Sequence, residues 1–299
     1  MEKKALGGCM AEEIGEEQEP KTPGDPILVY DVTCPVCEFD ELKYYALRAK
    51  SLMVKSNILE IPIYEDSPKY VAVDYNELLH TVCPKCFFVG GKKADFTYID
   101  LINNKKMHHQ TDRGIIKHWK ENASKIEDLI FDNFVDENSF THPRTEEGVI
   151  ASYKLAIYKN TQEIEIKIPF AYYKRARNYL KYYYFIKKFY KKFDDEILKK
   201  ALEDLEYVFF KSDFPEKSFE FEVCFIIIAA SIKLGDEAKA GNYIKVLDTT
   251  KGELTAKMKD DPRITLTEIQ KWLGKAKALW QQRDDNSLFD LLSPPRLIV

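Results

Sequence analysis

The chain has 299 residues, about twice the usual ~150-residue domain unit, with 45% hydrophobic and 31% charged residues and only 12 glycines and 13 prolines. That composition excludes a wholly disordered, collagen-like or low-complexity chain. Residues 1–26 hold seven acids and three lysines, which accounts for the whole net charge of −4, and the remaining 42 basic and 42 acidic residues balance. A folded part without basic excess is not what a dedicated nucleic-acid domain requires.

Residues 1–26 are acidic, contain Gly and Pro and lack aromatics, so a disordered tail is expected there. Leu6-Gly7-Gly8-Cys9 has the look of a lipoprotein cleavage box, but no apolar region precedes it, and no secretory leader is read from it. A β-rich run, Ile27 to Thr33, leads into Cys34-Pro35-Val36-Cys37. Further strands are expected from the β-branched and aromatic segments Ile58–Tyr64 and Tyr70–Tyr75, while Leu42 to Lys55 fits helix or strand. The segment 27–105 therefore reads as a small β module.

From Thr111 the period changes, with Ile115, Trp119, Ala123, Ile126 and Ile130 at helical spacing. Pro143 precedes a Val149, Tyr153, Ala156 stripe, and Pro169 stands at the first turn of the next helix. Asp194 caps a helix carrying Leu198, Ala201, Leu205 and Val208; Asp213 and Pro215 open another that stops at Leu234-Gly235. Asp236 starts the next, and Thr265-Leu266-Thr267-Glu268 is a capping box ahead of Ile269, Trp272 and Ala276. Short turns between successive helices make neighbours antiparallel. The fold class expected is α+β, a small β-rich knuckle module followed over 106–299 by an all-α stack of helical hairpins, tetratricopeptide-like in geometry but with an irregular period. The longest apolar run, Val223 to Ile232, is about half of the ~20 residues that cross a bilayer, so no membrane span is expected.

The chemistry lies in the cysteines. Cys34 and Cys37 form one CxxC pair and Cys83 and Cys86 another, with 45 residues between the inner cysteines. Two such knuckles supply the tetrahedral four-sulfur set that zinc prefers, and a rubredoxin-type iron centre uses the same ligands. The long spacer is tolerable because closure entropy grows only logarithmically. With all four positions filled by protein, one structural zinc ion is expected, with Lys85, Lys92 and Lys93 placed to offset its negative thiolate shell. Paired CxxC motifs without a leader point to a reducing cytoplasm. The competing reading is a dithiol redox protein, which needs a helix N-terminus beside the CxxC. His80, His108, His109 and His118 have no ligand spacing; His80 is expected to face along a strand and the others to lie at the surface.

Cys34-Pro35-Val36-Cys37, Tyr70, Cys83-Pro84-Lys85-Cys86, Phe96 and Leu234-Gly235-Asp236-Glu237-Ala238 together resemble the bacterial family called domain of unknown function 2225, over about Leu28 to Trp280. The resemblance implies a zinc-binding N-terminal module joined to tetratricopeptide-like helices, with no assigned reaction. The chain departs from the common CPxCG knuckle in having Glu38 and Phe87 where glycine is usual.

Residues 172–193 hold eight lysines or arginines, seven tyrosines, three phenylalanines and no acid. Ala176, Tyr179, Tyr183, Ile186, Tyr190 and Phe193 follow one seam, while Lys174, Arg177, Lys181, Lys188 and Lys192 make a basic stripe expected on the opposite side. That stripe suits an acidic protein segment or nucleic-acid phosphates, unless the acids of the next helix neutralise it. No phosphate loop, nucleophile elbow or HExxH helix occurs, so an enzyme is not expected. The function expected is a cytoplasmic, zinc-stabilised adapter for a protein or peptide partner. The alternatives are a nucleic-acid-associated factor and a CxxC redox protein.

Overall fold

The strand expected at residues 27–33 is β1 (Ile27–Thr33), at the centre of a four-stranded antiparallel sheet with β2 (Leu42–Leu47), β7 (Thr97–Asp100) and β8 (Lys105–Met107), in the order β2-β1-β7-β8. The computed structural model describes residues 24–297 apart from 101, 132–134, 217 and 259–265, so the acidic tail expected over 1–26 lies almost wholly outside the described residues. Two further hairpins, β3 (Met53–Ser56) with β4 (Pro62–Glu65) and β5 (Thr81–Val82) with β6 (Val89–Gly90), complete the strand region.

Two strand expectations are corrected. Of Ile58–Tyr64 only the last part is strand. Ile58, Leu59 and Ile61 form the tip of the β3–β4 hairpin and are almost completely buried among the helices. Asn57 builds that tip, accepting at Oδ1 from the amides of Leu59 (2.9 Å) and Ile61 (3.0 Å) and donating through Nδ2 to the Leu291 carbonyl (2.9 Å). Burying three such side chains is worth about 1.5–3 kcal/mol each. Tyr70–Tyr75 is not a strand: only isolated bridges at Tyr70 pair there, and Asp74 caps a 3-10 turn at Tyr75–Leu78.

The helices are α1 (Arg113–Glu121), α2 (Ala123–Phe131), α3 (Glu146–Glu165), α4 (Ala171–Tyr190), α5 (Asp195–Lys211), α6 (Phe219–Lys233), α7 (Glu237–Met258) and α8 (Thr267–Gln281). From α3 to α8 each packs on its successor, and α6 also packs on α8. The reason is visible in α6, where Val223 to Ile232 is apolar on all sides and every residue is buried, so it needs neighbours all round. Gly235, at φ +76° with open space where a Cβ would stand, makes the stop after α6. That helix begins at Phe219, several residues after the expected Asp213-Pro215 opening. Thr265 of the expected capping box lies outside the described residues, and Leu266 precedes α8.

The strand region and the helices, expected to divide near residue 105, share two cores. One joins Ile58, Leu59 and Ile61 to α3–α8; the other joins Val32, Cys34, Val82, Cys83, Phe88 and Phe96 to Ile115 and Trp119 of α1, Ile126 and Ile130 of α2, and Ala151, Leu155 and Ala156 of α3. The C-terminal Leu288, Phe289 and Leu291 are buried in the first core. Ile298 and Val299 lie outside the described residues.

Candidate metal centre

Each CxxC pair is the turn of a hairpin. Cys34–Cys37 joins β1 to β2 and Cys83–Cys86 joins β5 to β6. Both turns are built alike: the amide of Cys34 donates to the Phe39 carbonyl (2.9 Å) and that of Glu38 to the Cys34 carbonyl (3.1 Å), while Cys83 N–H donates to Phe88 (2.9 Å) and Phe87 N–H to Cys83 (2.8 Å). The turn requires a left-handed residue one place after the second cysteine. Glu38 (φ 63°) and Phe87 (φ 56°) adopt that conformation where a glycine would be unstrained. The departure from CPxCG thus leaves the knuckle geometry intact at a cost of about 1–2 kcal/mol per residue.

The four sulfurs converge. Cys34 Sγ lies 3.6 Å from Cys86 Sγ, Cys37 Sγ lies 3.5 Å from Cys83 Sγ, and all four are within 4.8 Å of one another. Tetrahedral sulfurs around an ion at the usual ~2.3 Å bond length stand about 3.8 Å apart, so the donor set has the spacing of a four-thiolate site. Cys34 and Cys83 are buried, Cys86 is half-buried and Cys37 is exposed. Val36 N–H points at Cys34 Sγ (3.5 Å), a backbone dipole that favours thiolate.

Without a cation three of the thiols, Cys34, Cys83 and Cys86, work against each other. Hydrogen bonding to Cys83 pushes the Cys34 thiol up, and hydrogen bonding to Cys34 and Cys83 pushes Cys86 up. The thiol of Cys83 moves the other way, pulled down by the S–H groups of Cys34 and Cys86. One thiolate is held by its protonated neighbours, and a divalent ion supplies the positive charge that lets the others ionise.

The shell around the sulfurs is aromatic. Trp119 Nε1 donates to the Cys86 carbonyl (3.0 Å), and Phe88 meets Phe96 and Trp119 edge-on at 5.8 and 5.6 Å. A Cβ at Gly90 would come within 2.5 Å of the Phe96 ring, so only glycine lets the second hairpin close on it. Trp119 was legible only as a helix-face residue, because its contact with the knuckle crosses 33 positions. Of the lysines expected to offset the cluster, Lys93 lies over the Tyr30 and Tyr98 rings and Lys85 over Phe39.

The basic stripe is not an open face. Lys174 pairs with Glu163 of α3 (3.1 Å), Arg177 with Glu222 of α6 (3.1 Å) and with the Glu60 carbonyl (2.8 Å), and Lys188 with Asp74 and Glu77 (2.7 Å each). Lys181 is half-buried, makes no ion pair among the described residues, and has its ammonium pushed down to about 7 by burial and by Arg177. Lys192 is exposed beyond the end of α4. The partners expected on α5 supply one buried pair, Arg175 with Asp204, and the rest come from the strand region, α3 and α6. Most cations of the stripe are therefore paired within the chain, which the amphipathic pattern concealed. His80 also differs from expectation: it is buried against Tyr153 and bonded to Asn178 of α4 (3.0 Å). His108 is exposed, and His118 bonds Tyr158 (2.7 Å).

Two hairpins that bring four cysteines together on an all-α stack define the class: a strand module with a cysteine cluster able to hold a metal ion, joined to a helical scaffold. The chain belongs to the domain of unknown function 2225 family, described as an uncharacterized protein conserved in bacteria, whose model matches residues 28–269. No curated protein and no solved structure matches it. Among the described residues no helix is long and apolar enough to cross a membrane.

Proposed function

We propose that the protein is a non-enzymatic cytoplasmic adapter in which a zinc ion on Cys34, Cys37, Cys83 and Cys86 holds the strand module, and the tetratricopeptide-like helical stack takes a protein partner. The single observation behind this reading is the exposed aromatic patch on α5. Phe210 is 74% exposed beside Val246 of α7 at 39%, and Tyr207 of the same helix, stacked on Tyr172, is 40% exposed; among the described residues Tyr190 is the only other exposed ring. A cleft of about 390 Å3 between α5 and α7 adjoins them, floored by Phe209 and Tyr243. Exposed apolar clusters rimmed by charge, here Glu206 and Lys239, mark protein-binding sites. The occupant proposed is a protein segment that inserts an aliphatic or aromatic anchor into this cleft.

Four protein thiolates leave no open coordination position, which supports a structural rather than catalytic ion. Engagement of Arg177 and Lys188 by two internal partners each favours the adapter over nucleic-acid binding. The test is site-specific photo-crosslinking from position 210 in native cytoplasm, with and without nuclease, against the Phe210→Asp variant. A nuclease-resistant adduct with one protein, whose purified form binds the wild-type chain and loses binding to Phe210→Asp, is the expected result. An adduct abolished by nuclease, or none at all, overturns the reading. Metal analysis of the same preparation should give one zinc per chain; iron, or sulfurs that cycle with mild oxidant, would overturn the structural-zinc part alone.

A further inference from the structure

A second cleft, of about 400 Å3, lies between the β5–β6 hairpin and the first turns of α4, with α3 as its floor. That volume is within the range of small-molecule sites. Its back wall is a chain of buried polar side chains whose donor directions are fixed from one end. A carboxylate only accepts, so Glu163 Oε2 takes hydrogen bonds from Lys174 Nζ (3.1 Å) and Asn160 Nδ2 (3.0 Å). Asn160 then presents Oδ1 to Asn178 Nδ2 (2.8 Å), and Asn178 Oδ1 remains to accept from His80 Nε2 (3.0 Å). A proton on Nε2 leaves His80 Nδ1 as a bare acceptor, 3.7 Å from where a Cβ on the lining residue Gly91 would stand. Burial, aided by Lys181, Arg144 and Lys159, holds this imidazole neutral, its pKa lowered to about 3.

The charges on the lining are unequal. Lys92, Lys159, Lys174 and Arg177 face two acids, Asp95 and Glu163. Lys159 is buried and stands 3.7 Å from Asp95, while Lys174 spends one donor on Glu163; each ammonium retains further N–H groups. The apolar part of the lining is Val89, Ala156, Phe170 and Tyr173, interleaved with these cations on α3 and at the start of α4. Phe170 is held at φ 62°, a strained conformation for a bulky residue, at the N-cap of α4, and gives that helix no side-chain acceptor. Cations converging beside an apolar lining and a lone acceptor are complementary to one kind of molecule.

We propose that this cleft binds a small organic anion, with its carboxylate or phosphate between Lys159 and Lys174 and its apolar body along Phe170 and Tyr173. A hydroxyl or amide donor on the ligand would reach Nδ1 of His80. Because the cleft is lined by the strand after the second knuckle and by α3 and α4, its occupant ties the strand module to the helical stack. The inference rests on neither the metal nor the protein partner.

The test is calorimetric titration of the full metal-loaded chain with benzoate and with phenyl phosphate, with benzyl alcohol as the neutral control. Saturable binding of at least one anion at one per chain, and none of benzyl alcohol, is expected; the tighter of the two identifies the anionic group. Lys174→Gln removes one cation at a partly exposed site, and Gly91→Val fills the cleft from a position whose φ any residue adopts. Lys174→Gln should weaken binding by about tenfold or more, the effect of losing one charge-assisted hydrogen bond, and Gly91→Val should weaken it by occupying the cleft beside His80. Circular dichroism checks both folds, and Lys174→Gln decides if the valine variant is misfolded. No saturable binding of either anion at millimolar concentration, or equal affinity in wild type and the folded variants, would overturn the proposal.

Discussion

Removing the metal should melt a defined part of the molecule. The proposed ion would bind only the folded knuckles, so its binding free energy would be folding free energy, about 10–16 kcal/mol for four-ligand zinc peptides at neutral pH. That equals or exceeds the whole stability of a typical domain, about 5–15 kcal/mol. The core that surrounds the sulfurs includes Ile115 and Trp119 of α1 and Ile126 and Ile130 of α2, so these helices lose their packing when the hairpins separate. The larger core, built on α3–α8 and the tip of β3–β4, contains none of the four cysteines. Chelation, or Cys83→Ser, should therefore release α1 and α2, nine residues each, while α4 to α8 persist. Exposed Cys37 gives a chelator its entry. The assay is amide hydrogen exchange by mass spectrometry, followed with helical ellipticity. Unchanged exchange in residues 113–131 would refute the claim that the cluster holds that core, and loss of the entire helical signal would show that the two cores fold as one unit.

Three further outcomes follow from particular residues. Glu38→Gly relieves a left-handed glutamate on an exposed turn and, after the entropy cost of glycine, should stabilise the metal-loaded chain by about 0.5–1 kcal/mol in urea denaturation. Arg175 grips Asp204 with two hydrogen bonds of 2.7 and 2.8 Å, and Asp204 is 4% exposed, so Arg175→Ala should cost about 3–5 kcal/mol in the same assay. The double variant Arg175→Met/Asp204→Leu should recover most of that loss. The folded-state pKa of Lys181, about 7, lies below its ordinary 10.5, so its neutral-form stability is present above pH 10.5 and lost as pH falls toward 7. Lys181→Met should thus raise stability at pH 7 by about 1 kcal/mol or more, with a gain that shrinks as pH rises to 10; a constant difference across that range would show that the amine does not titrate so.

Local chemistry made much of this protein legible. The knuckles were readable because a CxxC turn needs only its own few residues, and because duplicating it implies a shared ion. Gly235 and Asp194 marked helix ends, Gly235 through its left-handed backbone, although the Asp194 side chain makes no capping bond; Pro143 and Pro169 lie just before the N-caps Thr145 and Phe170, outside the helices. What lay beyond reach depended on contacts between distant positions. Ile58, Leu59 and Ile61 have strand composition, yet they form a hairpin tip inside the helices because Asn57 closes the turn and Leu291 receives it. The cations of α4 seemed to define an outer face, but Asp74, Glu77 and Glu60 of the strand region lie against them. His80 carried no motif, and only folding sets it at the end of a polar chain through Asn178, Asn160 and Glu163. The paired cysteines and the run of helices after residue 111 were legible in the sequence, since turns, caps and periodicity act within a few residues. Tertiary structure alone decided which charges stay paired and where the clefts open, because burial and ion pairing depend on what the rest of the chain brings to the same place.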